Sequence, residues 1–153
     1  MTRILSFLLL GFLSAFPGLM ASSLTGVQVN QPWTRPGIKD GTTAAYMELK
    51  NINPYPVVIQ SASSPSAREV QLHETKEENG VMKMREQSSW TIEPGQTLVL
   101  SPGGYHLMLI GLHHDVTTKD TLSLSLTSDK GEALHLSMPV KGGAKKAECH
   151  CHD

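Results

Sequence analysis

"TLSLSLTSDKGEALHLSMPV", residues 121–140, alternates apolar and polar side chains on both sides of a Gly-containing break. Successive side chains of an extended chain point to opposite faces, so Leu122, Leu124 and Leu126 share one face of a strand. The pattern recurs over 133–140, and the break between the two runs reads as a turn. Two half-buried strands are the minimal unit of an all-β core, and the rest of the chain repeats their grammar.

Further candidate strands cover 25–30, 42–50, 55–62, 67–74, 80–86, 97–101 and 105–111, alongside 121–127 and 133–140. Turn signals separate them: "RPG" at 35–37, "NINPYP" at 51–56, "EPG" at 93–95 and "SPGG" at 101–104. Many short strands at this spacing, with no amphipathic helix, predict an all-β sandwich or barrel in a single domain.

The ends differ from this middle. Residues 1–23 hold one cation, Arg3, then the apolar run "ILSFLLLGFLSAF" and the small residues "ASS". That arrangement predicts a signal peptide, too short for a good membrane span, and hence an exported chain, soluble after cleavage. No cysteine lies near the cleavage site, so no lipid anchor is expected there. The domain is expected over 24–140, and residues 141–153, "KGGAKKAECHCHD", form a tail with no apolar face to bury. Charge is balanced, 13 Lys and Arg against 14 Asp and Glu, with no basic stripe to attract nucleic acid. Cys149 and Cys151 both lie in the tail, so no disulfide staples the core.

One strand carries chemistry that an ordinary strand does not need. In "GGYHLMLIGL", residues 103–112, Leu107 and Leu109 suit a core face, which turns His106 and Met108 together to the other side. A second His and Met flank "EENG" in "REVQLHETKEENGVMKMRE", residues 68–86, which reads as a hairpin. With a turn at Glu78-Asn79, His73 pairs with Met84. With a turn at Asn79-Gly80, His73 pairs with Glu86 and lies diagonal to Met84. Both registers put His73 and Met84 on one face, whereas a three-residue loop over 78–80 would separate them. Met82 shares the face of Met84 and is a candidate additional ligand.

Methionine is commonly a gap-filler and a strand histidine is commonly hydrogen-bonded or solvated. Together, two imidazoles and two thioethers of matching parity form a soft, neutral donor set that suits copper, Cu(I) above all. Thioethers also survive a disulfide-forming compartment in which free thiolates oxidise. The tail adds Cys149, His150, Cys151 and His152, a run able to wrap Cu(I), Cu(II) or zinc.

The spacing of the four core residues, H-x10-M-x21-H-x-M, resembles the signature of the periplasmic copper chaperones called PCuAC. The words "AAYMELKN" (44–51), "VQLHE" (70–74), "GVMKMR" (80–85) and "PGGYHLMLIGL" (102–112) are similar as well. The resemblance implies a cupredoxin-like Greek-key β-sandwich. It implies a Cu(I) site made by His73, Met84, His106 and Met108. It further implies delivery of copper to acceptor proteins such as cytochrome c oxidase subunits or Sco-type chaperones, in copper homeostasis and cytochrome c oxidase assembly. Some members have Met directly after the first His, where this chain has Glu74. Many members carry a His- and Met-rich C-terminal extension that binds further copper; here the tail has cysteines in place of methionines, and the resemblance implies a second site there for Cu(II) or a second Cu(I).

No G-x-S-x-G, phosphate-binding Gly loop or H-E-x-x-H occurs, so no enzyme class is expected. A blue-copper electron-transfer site would need a cysteine inside the fold. The rival readings are a copper storage or detoxification protein, and a β-sandwich protein-binding module whose His and Met are incidental. His113, His114 and Asp115 read as a solvated loop, and His135 as a residue facing away from the core. Trp33 before a Pro-bounded turn reads as a core plug, and Arg35 as a partner for a carboxylate.

Overall fold

A computed structural model describes residues 24–142, and within them every regular element is a strand. The ten strands are β1 (Val27–Thr34), β2 (Thr42–Asn51), β3 (Val57–Ser63), β4 (Ala67–Glu78), β5 (Val81–Glu86), β6 (Trp90–Ile92), β7 (Thr97–Leu100), β8 (Tyr105–Leu112), β9 (Thr121–Ser128) and β10 (Ala133–Pro139). Their hydrogen-bonded order is β1-β2-β7-β8-β4-β3-β9-β10, with β5 attached to β4 and β6 to β3. Neighbours distant in sequence, β2 beside β7 and β8 beside β4, are the crossing connections of a Greek-key sandwich. A parallel bridge between Thr34 and Val140 brings the first and last strands together, so the sheet is nearly closed.

Alternation builds the core as the sequence predicts. Leu122, Leu124 and Leu126 of β9 meet Leu107 and Leu109 of β8, Leu49 of β2 and Ile59 of β3, all nearly fully buried. Each such side chain contributes about 1.5–3 kcal/mol relative to exposure. Met47 and Met138 fill gaps in this core and are spent on packing. His135 lies on the exposed side, its Nδ1 2.7 Å from Ser125 Oγ, and His113, His114 and Asp115 are exposed in the loop after β8.

Three details depart from the sequence reading. β6 is an additional strand of three residues. β4 runs four residues past 74, out to the hairpin tip. β1 continues beyond 30 through a register shift between Asn30 and Trp33, where Gln31 takes a φ of 47°. That shift turns Trp33 away from the core face: it is half-buried and stacks on Tyr46, with centroids 4.6 Å apart. Trp33 is therefore not a core plug. Arg35 is exposed, lies 5.4 Å from the centroid of the Tyr46 ring, and forms none of the ion pairs found among the described residues.

Residues 1–23, the expected signal peptide, lie outside the described residues. So do Cys149, His150, Cys151 and His152 of the tail. The described chain ends beside β1, where the Lys141 amide donates to the Thr34 carbonyl at 2.9 Å.

Candidate metal centre

The β4–β5 turn decides the first half of the site. Asn79 and Gly80 both take positive φ, 54° and 77°, the backbone of a two-residue type I′ hairpin. The register follows: Glu78 opposes Val81, Thr75 opposes Met84, and His73 opposes Glu86. This is the second of the two co-facial registers. His73 and Met84 therefore lie diagonally on one face, while Glu74, Lys76 and Glu78 point the other way with Lys83 and Arg85. There Glu78 pairs with Lys83 at 3.0 Å and with Arg85 at 2.9 Å.

β8 supplies the second half. It pairs antiparallel with β4 from Ala67↔Leu112 to Glu74↔Tyr105, which sets His73 directly opposite His106 and Gln71 directly opposite Met108. The parity argument thus closes across three strands: His73, Met84, His106 and Met108 all project from the same face of β5-β4-β8. The two imidazole centroids are 5.6 Å apart.

An open cleft of about 380 Å³ lies over this face. Met84, His106 and Met108 line it, together with Thr75, Tyr46 and Arg35. His73 sits beside the cleft without lining it. Both histidines are buried, His73 9% exposed and His106 4%, whereas Met84 is 50% exposed. Met82 is on the same face but nearer the hairpin tip, opposite Glu77, and does not reach the cleft wall.

Hydrogen bonds define both imidazoles. His106 Nδ1 lies 3.0 Å from the Gly104 carbonyl, which can only accept, so in the neutral ring Nδ1 carries the proton and Nε2 the lone pair. His73 Nε2 lies 2.9 Å from Gln71 Oε1, while His73 Nδ1 is buried with no hydrogen-bond partner. Leaving a buried acceptor unpaired costs on the order of 1–3 kcal/mol, and a bound cation would remove that cost. Burial, and then the neighbouring His106, push the His73 imidazole below its ordinary pKa, with Glu86 opposing weakly. The ring is thus kept neutral, the form that ligates. Burial raises the Tyr46 phenol against the pull of Arg35, so it too stays uncharged.

No group of three or more His, Cys, Asp or Glu side chains converges among the described residues. The donors that do converge are two imidazoles and two thioethers, with no carboxylate in the cleft wall. Such a set disfavours hard cations and suits Cu(I). Arg35, Tyr46 and Gln71 were given no place in the site by the sequence. Gln71 was legible in principle, because it stands two residues before His73 and shares its face.

Comparison with known proteins agrees with this architecture. The family described as "Putative lipoprotein LpqE-like" matches residues 27–140. A curated relative, "Putative lipoprotein Lxx21020" of Leifsonia xyli subsp. xyli (strain CTCB07), is 36% identical over 141 residues, covering 88% of this chain and 84% of the relative. Among solved structures, the copper-bound PCuAC domain from PmoF2 superposes with a TM-score of 0.64 at 18% identity, over 76% of this chain and 93% of that one. Cu(I)-bound DR1885 from Deinococcus radiodurans superposes with a TM-score of 0.55 at 26% identity, over 82% of this chain and 86% of that one. The fold is therefore cupredoxin-like, and its structural neighbours include copper-bound PCuAC domains. "Lipoprotein" is the description of the relatives; in this chain the first cysteine is Cys149.

Proposed function

We propose, from the premise that the chain belongs to the LpqE-like family and shares the fold of PCuAC domains, that it is a periplasmic copper chaperone. In this reading His73, Met84, His106 and Met108 hold Cu(I) and pass it to acceptor proteins. Cytochrome c oxidase subunits or Sco-type chaperones are the recipients that the family resemblance implies. The observation that carries the reading is the convergence of four neutral soft donors from β4, β5 and β8 on one face, with His73 Nδ1 buried and unpaired.

The chemistry is ligand exchange without electron transfer. Copper arrives and leaves as Cu(I), and the four protein donors are neutral, so the complex carries one uncompensated positive charge. An acceptor thiolate gains both a bond and a charge pairing when it takes the ion. Met84 is half exposed on the strand that rims the cleft, so its thioether is the donor that an incoming ligand displaces first. The imidazoles and Met108 retain the ion until a second acceptor bond forms. Copper therefore never passes through a bare state, which is what keeps such a transfer fast. The tail run Cys149, His150, Cys151 and His152 would hold a second ion, Cu(II) or Cu(I), upstream of this site.

Titration with Cu(I) under reducing conditions, against a strong chelator, tests the reading. The expected result is one tightly held ion in a chain with both tail cysteines replaced. A transfer assay to an apo copper-acceptor domain then separates carrier from store, because a chaperone gives up its ion and a storage protein keeps several. Absence of stoichiometric uptake that depends on Met84 and Met108 would leave a protein-binding module as the better account.

A further inference from the structure

The two histidines are prepared differently, and Gln71 is the reason. Gln71 Nε2 donates to the Glu69 carboxylate at 2.7 Å. A carboxylate accepts only, so the amide orientation is fixed and Gln71 Oε1 is the atom left facing His73. That oxygen also accepts only, at 2.9 Å from His73 Nε2. The proton of the neutral ring must then sit on Nε2. The lone pair is left on Nδ1, the buried nitrogen without a partner. In His106 the assignment is reversed, because the Gly104 carbonyl takes the Nδ1 proton at 3.0 Å and leaves Nε2 free.

We infer that Gln71, oriented by Glu69, is a positioning residue that selects Nδ1 of His73 as the copper donor, so that the ion is bound by Nδ1 of one histidine and Nε2 of the other. The inference rests on the copper-carrier reading for its function. Its structural part, the tautomer, stands in the metal-free protein. Outer-shell partners of this kind set which nitrogen is free and how the ring is aimed. Glu69, Gln71 and His73 stand at i, i+2 and i+4 on β4 and so share one face, where Gln71 lies opposite Met108. The strand geometry thus delivers an orienting pair alongside the donors at no cost in loop ordering. His73 does not itself line the cleft, and its ring centroid lies 5.6 Å from that of His106, which does.

Nitrogen-isotope NMR on the full chain tests this. In the metal-free protein, His73 is expected with a protonated Nε2 and a bare Nδ1, and His106 with the opposite pattern. Loaded with Ag(I) as the probe for Cu(I), the protein is expected to show silver–nitrogen scalar coupling at His73 Nδ1 and His106 Nε2. Glu69→Gln leaves an amide oxygen to accept from Gln71 Nε2, so the Gln71 oxygen stays on His73 and both nitrogens should be retained. Gln71→Leu removes that oxygen and should move the His73 coupling wholly or partly to Nε2, with affinity for Ag(I) lowered about 10- to 100-fold. A proton on His73 Nδ1 in the metal-free protein, silver coupling at His73 Nε2 in the unaltered chain, or a Gln71→Leu variant with unchanged nitrogen and affinity would each overturn the inference. Failure of the unaltered chain to take up Ag(I) would instead overturn the carrier reading and the donor role with it. The metal-free spectrum would still decide the tautomer.

Discussion

β8 and β5 carry the same kind of ligand in opposite mechanical settings. β8 is hydrogen-bonded on both sides, to β4 over nearly its whole length and to β2 from Leu107 to Ile110. Leu107 and Leu109 anchor its inner face in the core. β5 has one strand partner, β4, and all six of its residues are exposed. His106 and Met108 are thus fixed by the fold, and Met84 is held by a two-strand ribbon. A carrier benefits from this asymmetry. The rigid side fixes donor geometry before the ion arrives, and the pliable side is where an acceptor can displace a donor without disturbing the core.

The sharpest way to break the comparison is to remove one donor from each side. His106→Ala deletes a buried ring, so copper affinity should fall by at least about 100-fold, beyond the usual cost of losing an outer-shell partner. Unfolding free energy should also drop by on the order of 2 kcal/mol from the cavity left behind. Chelator competition and urea denaturation read the two effects. Met84→Ala comes next: affinity should fall about 10- to 100-fold, while stability stays within about 0.5 kcal/mol because the side chain is half exposed and packs on little. If Met84→Ala destabilised the fold as much as His106→Ala does, the two strands would not differ as argued.

The sequence made the shared face of His106 and Met108 legible, but that of His73 and Met84 hung on the hairpin's register. Alternation in 105–111 and 121–140 announced both the core and the face opposite it, because period two leaves each residue only two choices. The hairpin was ambiguous because "EENG" permits three turns; only the positive φ of both Asn79 and Gly80 selects one. β6 was invisible because Trp90–Ile92 is too short to show a period. Trp33 was misplaced because a bulge adds one residue and inverts every later side chain of β1: Val29 opposes Leu49, but Trp33 opposes Tyr46. Gln71 went unassigned because a polar residue on a strand's outer face is ordinary until its hydrogen bonds are seen.

A gentler perturbation loosens the ribbon and leaves every donor in place. Gly80 has a φ of 77°, and a Cβ added there would meet nothing within 4 Å. Gly80→Ala should therefore cost only the left-handed backbone penalty, about 1–2 kcal/mol, with no clash. Amide exchange over 81–86 should quicken while that of 105–112 stays unchanged. Copper affinity should weaken several-fold, by less than in Met84→Ala. Equal effects on both strands would mean that β5 does not open independently.

The smallest expected effect is one of pH on the same ribbon. Hydrogen bonds from Lys83 and Arg85 hold the Glu78 carboxyl below its ordinary value of 4.5. A carboxyl whose folded pKa is lowered stabilises the folded form fully above the unfolded value. That stabilisation is lost as pH falls from about 4.5 through the depressed folded value, because the unfolded chain binds the proton more readily. Protonation also removes the anion shared by Lys83 and Arg85, and leaves Lys76 directly opposite Lys83 across the strands with less negative charge nearby. Like charges placed so are mutually destabilising. Protection of the 81–86 amides, corrected for intrinsic exchange, should therefore fall in the metal-free protein across this acid range before that of 105–112 does. Glu78→Gln, which has no charge to lose, should flatten the response. A response that persisted in Glu78→Gln would mean that Glu78 is not the group through which acid loosens the ribbon.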